Sequence, residues 1–186
     1  MMLELPEIVG RYSLGLFPME DGWYAAEPRA VMPLDPESVS LVRRKLARSV
    51  RAGDFRFRVD AAFSEVIEGC ARPRGASDGV WLQPWIAEQY VRLHAAGQAH
   101  TFEIWSDGSL AAGMIGVTLG RAAFLESMFH TVPHAGNALL VSTLEHLAAS
   151  GFTLADIQTP TDHTLRLGAV QLPRAEFEAR LREALS

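Results

Sequence analysis

The sequence is poor in cysteine, in long apolar runs and in positive charge. Its one cysteine, Cys70, cannot close an internal disulfide, and without a second thiol it cannot build a cysteine-rich structural zinc site. The longest apolar stretch, Leu110 to Gly120, carries three glycines, and it falls far short of the ~20 residues a membrane-spanning helix needs. The opening MMLELPEIVG places Glu4 and Glu7 where a secretory leader carries basic residues, and no greasy segment follows, so a cytoplasmic location is expected. Lys and Arg number 17 against 22 Asp and Glu, a net charge of −5 that argues against a generic polyanion binder. There is no internal repeat and no low-complexity tract. What is there is 186 residues, 48% hydrophobic and 21% charged, which is enough to bury a core and excludes a disordered tail, a collagen-like rod or a coiled coil.

The few basic residues are gathered. Arg43, Arg44, Lys45, Arg48, Arg51, Arg56 and Arg58 share one stretch with little acid. Pro36 and Glu37 at a helix start, followed by Val39, Val42, Leu46 and Val50 at helical spacing, predict an amphipathic helix ending near Gly53 with its arginines toward solvent. Such a face is either a solvated surface or a phosphate-binding strip, for which the planar guanidinium is suited. A second helix is expected over 61–70, with Phe63, Val66 and Ile67 inward. A mobile loop over 72–79 follows it, and then a helix bearing Trp81, Trp85, Ile86, Tyr90 and Leu93 that stops at Gly97. From Thr101 the period becomes that of strands. FEIWS, a turn at Asp107-Gly108, LAAGMIGVTLG and AAFLESMF predict an antiparallel meander, then a helix over 137–150, a strand over 153–158 and a last helix over 174–185. The order β-β-β-α-β-α implies an α+β fold with helices against a mostly antiparallel sheet.

Three places could carry chemistry. Asp156 and Gln158, two apart on the expected strand, would leave the same face as an oriented carboxylate–carboxamide pair, although two polar residues near a strand end also commonly satisfy loop backbone. Glu126 stands at the mouth of an apolar strand. A carboxylate there is costly unless paired, and one use for it is to hold a cationic amine; a simple ion pair is the other reading. His130 and His134 have metal-ligand spacing, but Pro133 between them breaks the helix such a site needs. The segment HAGNALL before a helix has only one glycine, too few for a pyrophosphate cradle.

In their order along the chain, YSLGLFP (12–18), WYAAEPRAV (23–31), the basic helix, FSEVIEGC (63–70), HTFEIW, AGMIGV, ESMF, DIQ and DHTLRLGAVQLPR resemble the leucyl/phenylalanyl-tRNA–protein transferases. The resemblance implies an acyl-CoA N-acyltransferase-like fold that uses no CoA, no metal and no other cofactor. It divides the chain into a reduced N-terminal segment with the basic helix over 1–60 and a transferase domain over 61–186. It implies movement of leucine or phenylalanine from aminoacyl-tRNA to the N-terminal Arg or Lys of an acceptor protein destined for degradation. It places Gln158, oriented by Asp156, at the attacking amine. Met114, Glu126, Leu147 and Ala155 fall in the aminoacyl pocket, Tyr12, Trp23, Trp81 and Tyr90 near the terminal adenosine, and Arg43, Arg44, Lys45, Arg48 and Arg51 on tRNA phosphates.

The sequence departs from the family pattern in four places. The family's N-terminal region before the tyrosine is not seen, FPW reads FPM at Met19, a common Ser-Lys pair is Gly136-Asn137, and a large apolar pocket residue is Thr143. A pocket containing Thr143 would be wider or wetter. Two other classes of function stay open: a non-catalytic tRNA- or degron-binding module, and a CoA-dependent small-molecule acyltransferase on the same fold.

Overall fold

The structure is a computed structural model that describes residues 3–72 and 81–186. Most of the loop expected over 72–79 lies outside the described residues. Helix α1 (Leu5–Ser13) leads into a small hairpin, β1 (Phe17–Met19) and β2 (Gly22–Tyr24). The remaining strands build one seven-stranded sheet: β3 (Arg29–Met32), β4 (Arg56–Val59), β5 (Ala99–Ser106), β6 (Ser109–Leu119), β7 (Ala122–His130), β8 (Leu154–Asp156) and β9 (Val170–Leu172), in the order β4-β5-β6-β7-β8-β3-β9. Every pairing is antiparallel except β7 with β8, so the α+β expectation of a mostly antiparallel sheet holds.

The sheet crosses the boundary expected at residue 60. Strands β3 and β4 both come from the first sixty residues, and β3 lies inside the sheet between β8 and β9. Burial explains this: all four residues of β3 are enclosed, as an interior strand requires. The Asp107-Gly108 turn is confirmed, with both residues at positive φ (50° and 77°), which matches the twist of the β5–β6 hairpin.

Side chains alternate across the central strands and divide the core in two. On one face Ile115, Val117 and Phe124 pack with Ile8, Tyr12, Ile86 and Tyr90 of α1 and of α5 (Pro84–Ala95); on the other Met114, Ala123 and Leu125 pack under Leu139, Leu144 and Leu147 of α6 (Ala135–Ala149). The basic helix is two helices, α2 (Pro36–Lys45) and α3 (Ala47–Val50), broken at Leu46. The break swings Ser49 against α6, where its hydroxyl meets His134 Nδ1 at 3.3 Å and accepts from Asn137 at 3.1 Å. Helix α4 (Phe63–Cys70) lies where the sequence predicted one. Trp81 stands before α5 rather than within it, because Pro84 supplies the first helical position. Two elements went unforeseen in the second half, α7 (Asp162–Leu167) and β9, ahead of the last helix α8 (Arg174–Leu185). Among the described residues no helix is long and apolar enough to cross a membrane.

Candidate functional site

The site forms where two strands part. Strands β7 and β8 run parallel for only three residue pairs, the last being Phe124 with Asp156. Beyond that point β8 stays with β3: Ile157 N–H donates to Ala30 C=O and Ala30 N–H donates to Gln158 C=O, both at 3.0 Å. Strand β7 meanwhile bulges. Leu125 pairs with Gly116 and Ser127 with Ile115, leaving Glu126 as the extra residue, and such a bulge re-aims a side chain. The opening between the two holds Glu126 and Gln158, and both line a cavity of about 620 Å³ with Phe17, Met19, Tyr24 and Trp81.

Asp156 and Gln158 do not share a strand face. The strand ends at Asp156, and Gln158 takes φ +58°, the left-handed region that few non-glycine residues occupy. Asp156 touches Gln158 through the backbone: its Oδ1 accepts the Gln158 N–H at 2.9 Å. Its main partner is Arg29, which the sequence patterns did not single out. Arg29 Nε and Nη2 donate to Asp156 Oδ1 and Oδ2 at 2.8 and 2.6 Å, and both side chains are fully buried. A lone arginine in an otherwise buried run (RAVM) was the available signal, but its partner lies 127 residues away.

Two buried nitrogens at the site, Trp81 Nε1 and Gln158 Nε2, have no hydrogen-bond partner among the described residues, while Glu126 Oε1 and the Tyr12 and Tyr90 hydroxyls face one another as a buried cluster without a well-formed hydrogen bond. Burial pushes the Glu126 carboxyl up to about 8; the nearby Asp156 charge adds to this, and Tyr12, Tyr90 and Arg29 oppose it. Glu126 as a residue is only half-buried because it opens on the cavity, yet its Oε1 is sealed. Burial, followed by the Glu126 charge, raises both tyrosines well above the ordinary tyrosine value.

The other expected site residues are spread more widely. Tyr12 and Tyr90 are completely enclosed beneath the cavity, Tyr12 edge-on to Trp23 at 5.3 Å, so neither ring presents an open face to a base. Trp23 lines a separate cavity of about 260 Å³ with Arg11, Trp85 and Gln89. Met114, Thr143, Leu147 and Ala155 are buried on the α6 side of the sheet, and the Thr143 hydroxyl has no partner there among the described residues. Of the basic strip, Arg43 bonds Glu145, Arg44 bonds Ser40 and Lys45 bonds the Arg166 carbonyl, while Arg48 and Arg51 are exposed.

The same arrangement of sheet and helices occurs in the crystal structure of FemX, which superposes with a TM-score of 0.60 at 11% identity over 90% of this chain and 66% of that one. The fold is thus that of the α+β proteins to which FemX belongs. At the level of sequence, the family model described as leucyl/phenylalanyl-tRNA protein transferase matches residues 33–182. Leucyl/phenylalanyl-tRNA–protein transferases are 42% identical over 189 residues in Anaeromyxobacter dehalogenans (strain 2CP-C), covering 98% of this chain and 80% of the relative, and 43% identical over 181 residues in Chromobacterium violaceum, covering 95% and 76%. The chain belongs to the leucyl/phenylalanyl-tRNA–protein transferase family, a family of aminoacyltransferases.

Proposed function

We propose that the chain moves leucine or phenylalanine from charged tRNA to the N-terminal arginine or lysine of an acceptor protein, marking it for degradation, with the reaction at the parting of β7 and β8. The observation that carries this reading is one cavity lined both by Gln158, whose Nε2 has no partner among the described residues, and by the Glu126 carboxyl, buried against the Tyr12 and Tyr90 hydroxyls. Such atoms are costly to bury, and a ligand with complementary groups offsets that cost. An aminoacyl ester is already activated, so alignment is the main requirement. The acceptor nitrogen forms a bond to the ester carbonyl carbon, the ester C–O bond breaks, and the amine proton ends on the departing ribose oxygen. Gln158 orients the amine and the developing charge rather than acting as a base, since an amide binds protons poorly. Glu126 faces the ammonium of the aminoacyl group, which draws the carboxyl into its ionised form.

The aminoacyl side chain threads between the parted strands toward Met114, Thr143, Leu147 and Ala155. Trp81, which lines the cavity, stacks on the terminal adenosine, while the enclosed Tyr12 and Tyr90 support Glu126. Arg43, Arg44, Lys45, Arg48 and Arg51 track acceptor-stem phosphates, and the sheet scaffold is the acyl-CoA N-acyltransferase-like core. A CoA site at the start of α6 has little support: Ala135 and Gly136 are buried, and a side chain at Gly136 would meet His130 at 3.1 Å. The test is transfer of labelled amino acids from a panel of charged tRNAs to a peptide beginning with arginine. Transfer of leucine or phenylalanine is expected; no transfer from any charged tRNA overturns the enzyme reading.

A further inference from the structure

We infer that Arg29 is a positioning residue for the transfer reaction, fixing Gln158 by gripping Asp156; this rests on the functional reading above. All the arms of its guanidinium are engaged. Nε and Nη2 hold the two Asp156 oxygens, and Nη1 donates to the Gly15 carbonyl at 2.9 Å. Its flat faces lie against Phe17 and Phe177, with ring centroids 4.7 and 4.6 Å away. A planar fork on a buried carboxylate fixes the carboxylate's direction as well as its charge, which an ammonium does not do.

The grip reaches Gln158 by two routes. Through the side chain, Arg29 aims Asp156 Oδ1, which accepts the Gln158 N–H. Through the backbone, the next residue, Ala30, donates to the Gln158 carbonyl. Gln158 is thus held on both sides in a left-handed conformation that its own preferences disfavour, and its carboxamide lines the cavity. Phe17, stacked on the guanidinium, lines the same cavity, so Arg29 also backs one wall. Asp156 is completely buried and does not line the cavity, so it touches no reacting atom itself and reaches the site through Gln158 and through its charge on Glu126.

The experiment compares the intact chain with Arg29→Lys and Phe177→Leu, following transfer kinetics, thermal unfolding and hydrogen exchange at the Gln158 amide. For a folded Arg29→Lys, kcat falls about tenfold or more, KM for the charged tRNA stays within about twofold, and the Gln158 amide exchanges faster. Phe177→Leu, which loosens the guanidinium without changing its charge, lowers kcat by about twofold to fivefold with the same exchange signature, and it decides the matter if Arg29→Lys does not fold. A folded Arg29→Lys with wild-type kcat overturns the proposal, as does unchanged Gln158 exchange in both variants. If the unaltered chain transfers nothing, the functional reading fails on its own, and the exchange data still report whether Arg29 governs Gln158.

Discussion

Two carboxylic acids on strands of one sheet, one on each side of β6, are treated in opposite ways. Glu103, in β5, is completely enclosed and takes four hydrogen bonds: from the Ala61 and Ala62 N–H groups at 3.0 and 2.9 Å, the Thr101 hydroxyl at 2.7 Å and the Trp105 indole at 3.1 Å. It ties the start of α4 to the sheet. Glu126, on the β7 bulge, has a sealed oxygen that makes no well-formed hydrogen bond among the described residues and faces only the Tyr12 and Tyr90 hydroxyls, which are no better satisfied. The first region uses its polar atoms to hold itself together; the second leaves them open. Stability and readiness to bind thus fall on different strands of the same sheet, and Arg29–Asp156, on β3 and β8 beyond Glu126, is a saturated pair beside the cavity.

Substitutions can break or sharpen that contrast. The largest effect is expected at the saturated pair: Asp156→Ala leaves a buried guanidinium unpaired and should cost about 3–5 kcal/mol in urea unfolding, with transfer abolished. Gln158→Ala removes a side-chain nitrogen that bonds nothing among the described residues, so it should lower the transfer rate about 100-fold while changing stability by under about 1 kcal/mol. Equal losses in both measurements would erase the distinction between the two regions. Glu103→Gln should show the reverse, costing about 1–3 kcal/mol with the transfer rate unchanged.

Glu126→Gln tests the other carboxyl through pH. Its folded value, about 8, lies above its ordinary 4.5, so between these the folded state binds the proton more tightly than the unfolded chain. Stability therefore falls as pH rises through that window. The wild-type minus Glu126→Gln difference in unfolding free energy should slope downward from about pH 4.5 to about 8 and flatten beyond; a level difference would show that the carboxyl is paired. The smallest effect lies outside both regions. Arg48→Ala with Arg51→Ala should weaken tRNA binding and make it less sensitive to salt, the log–log slope shrinking by about 0.7–0.9 for each phosphate no longer neutralised, without altering the rate at saturating tRNA.

Local patterns made much of this legible. The Asp107-Gly108 hairpin, the Pro-started helices and the meander depend on residues close in sequence, and the structure shows them. What could not be read depends on distance or on exceptions to periodicity. The Arg29–Asp156 pair spans most of the chain, and no spacing rule links its members. Strands β3 and β4 are four residues each and find their places only against strands made much later. The alternation that put Asp156 and Gln158 on one face assumes a strand, and the strand stops two residues early. The bulge at Glu126 likewise adds one residue that a period of two cannot anticipate. Family resemblance named Asp156, Gln158 and Glu126, but only the coordinates show that one of these is saturated and that the other two retain unpartnered atoms.

The position of β3 has a consequence for how the molecule is made. Residues 29–32 are made long before both of their sheet partners, 154–156 and 170–172. Closing so long a loop is entropically unfavourable and therefore slow. Until then a polypeptide cut short holds the arginine without its carboxylate. Any product that stops short of residue 156 therefore lacks the buried pair that holds Gln158, so the arrangement at the site waits for strand β8.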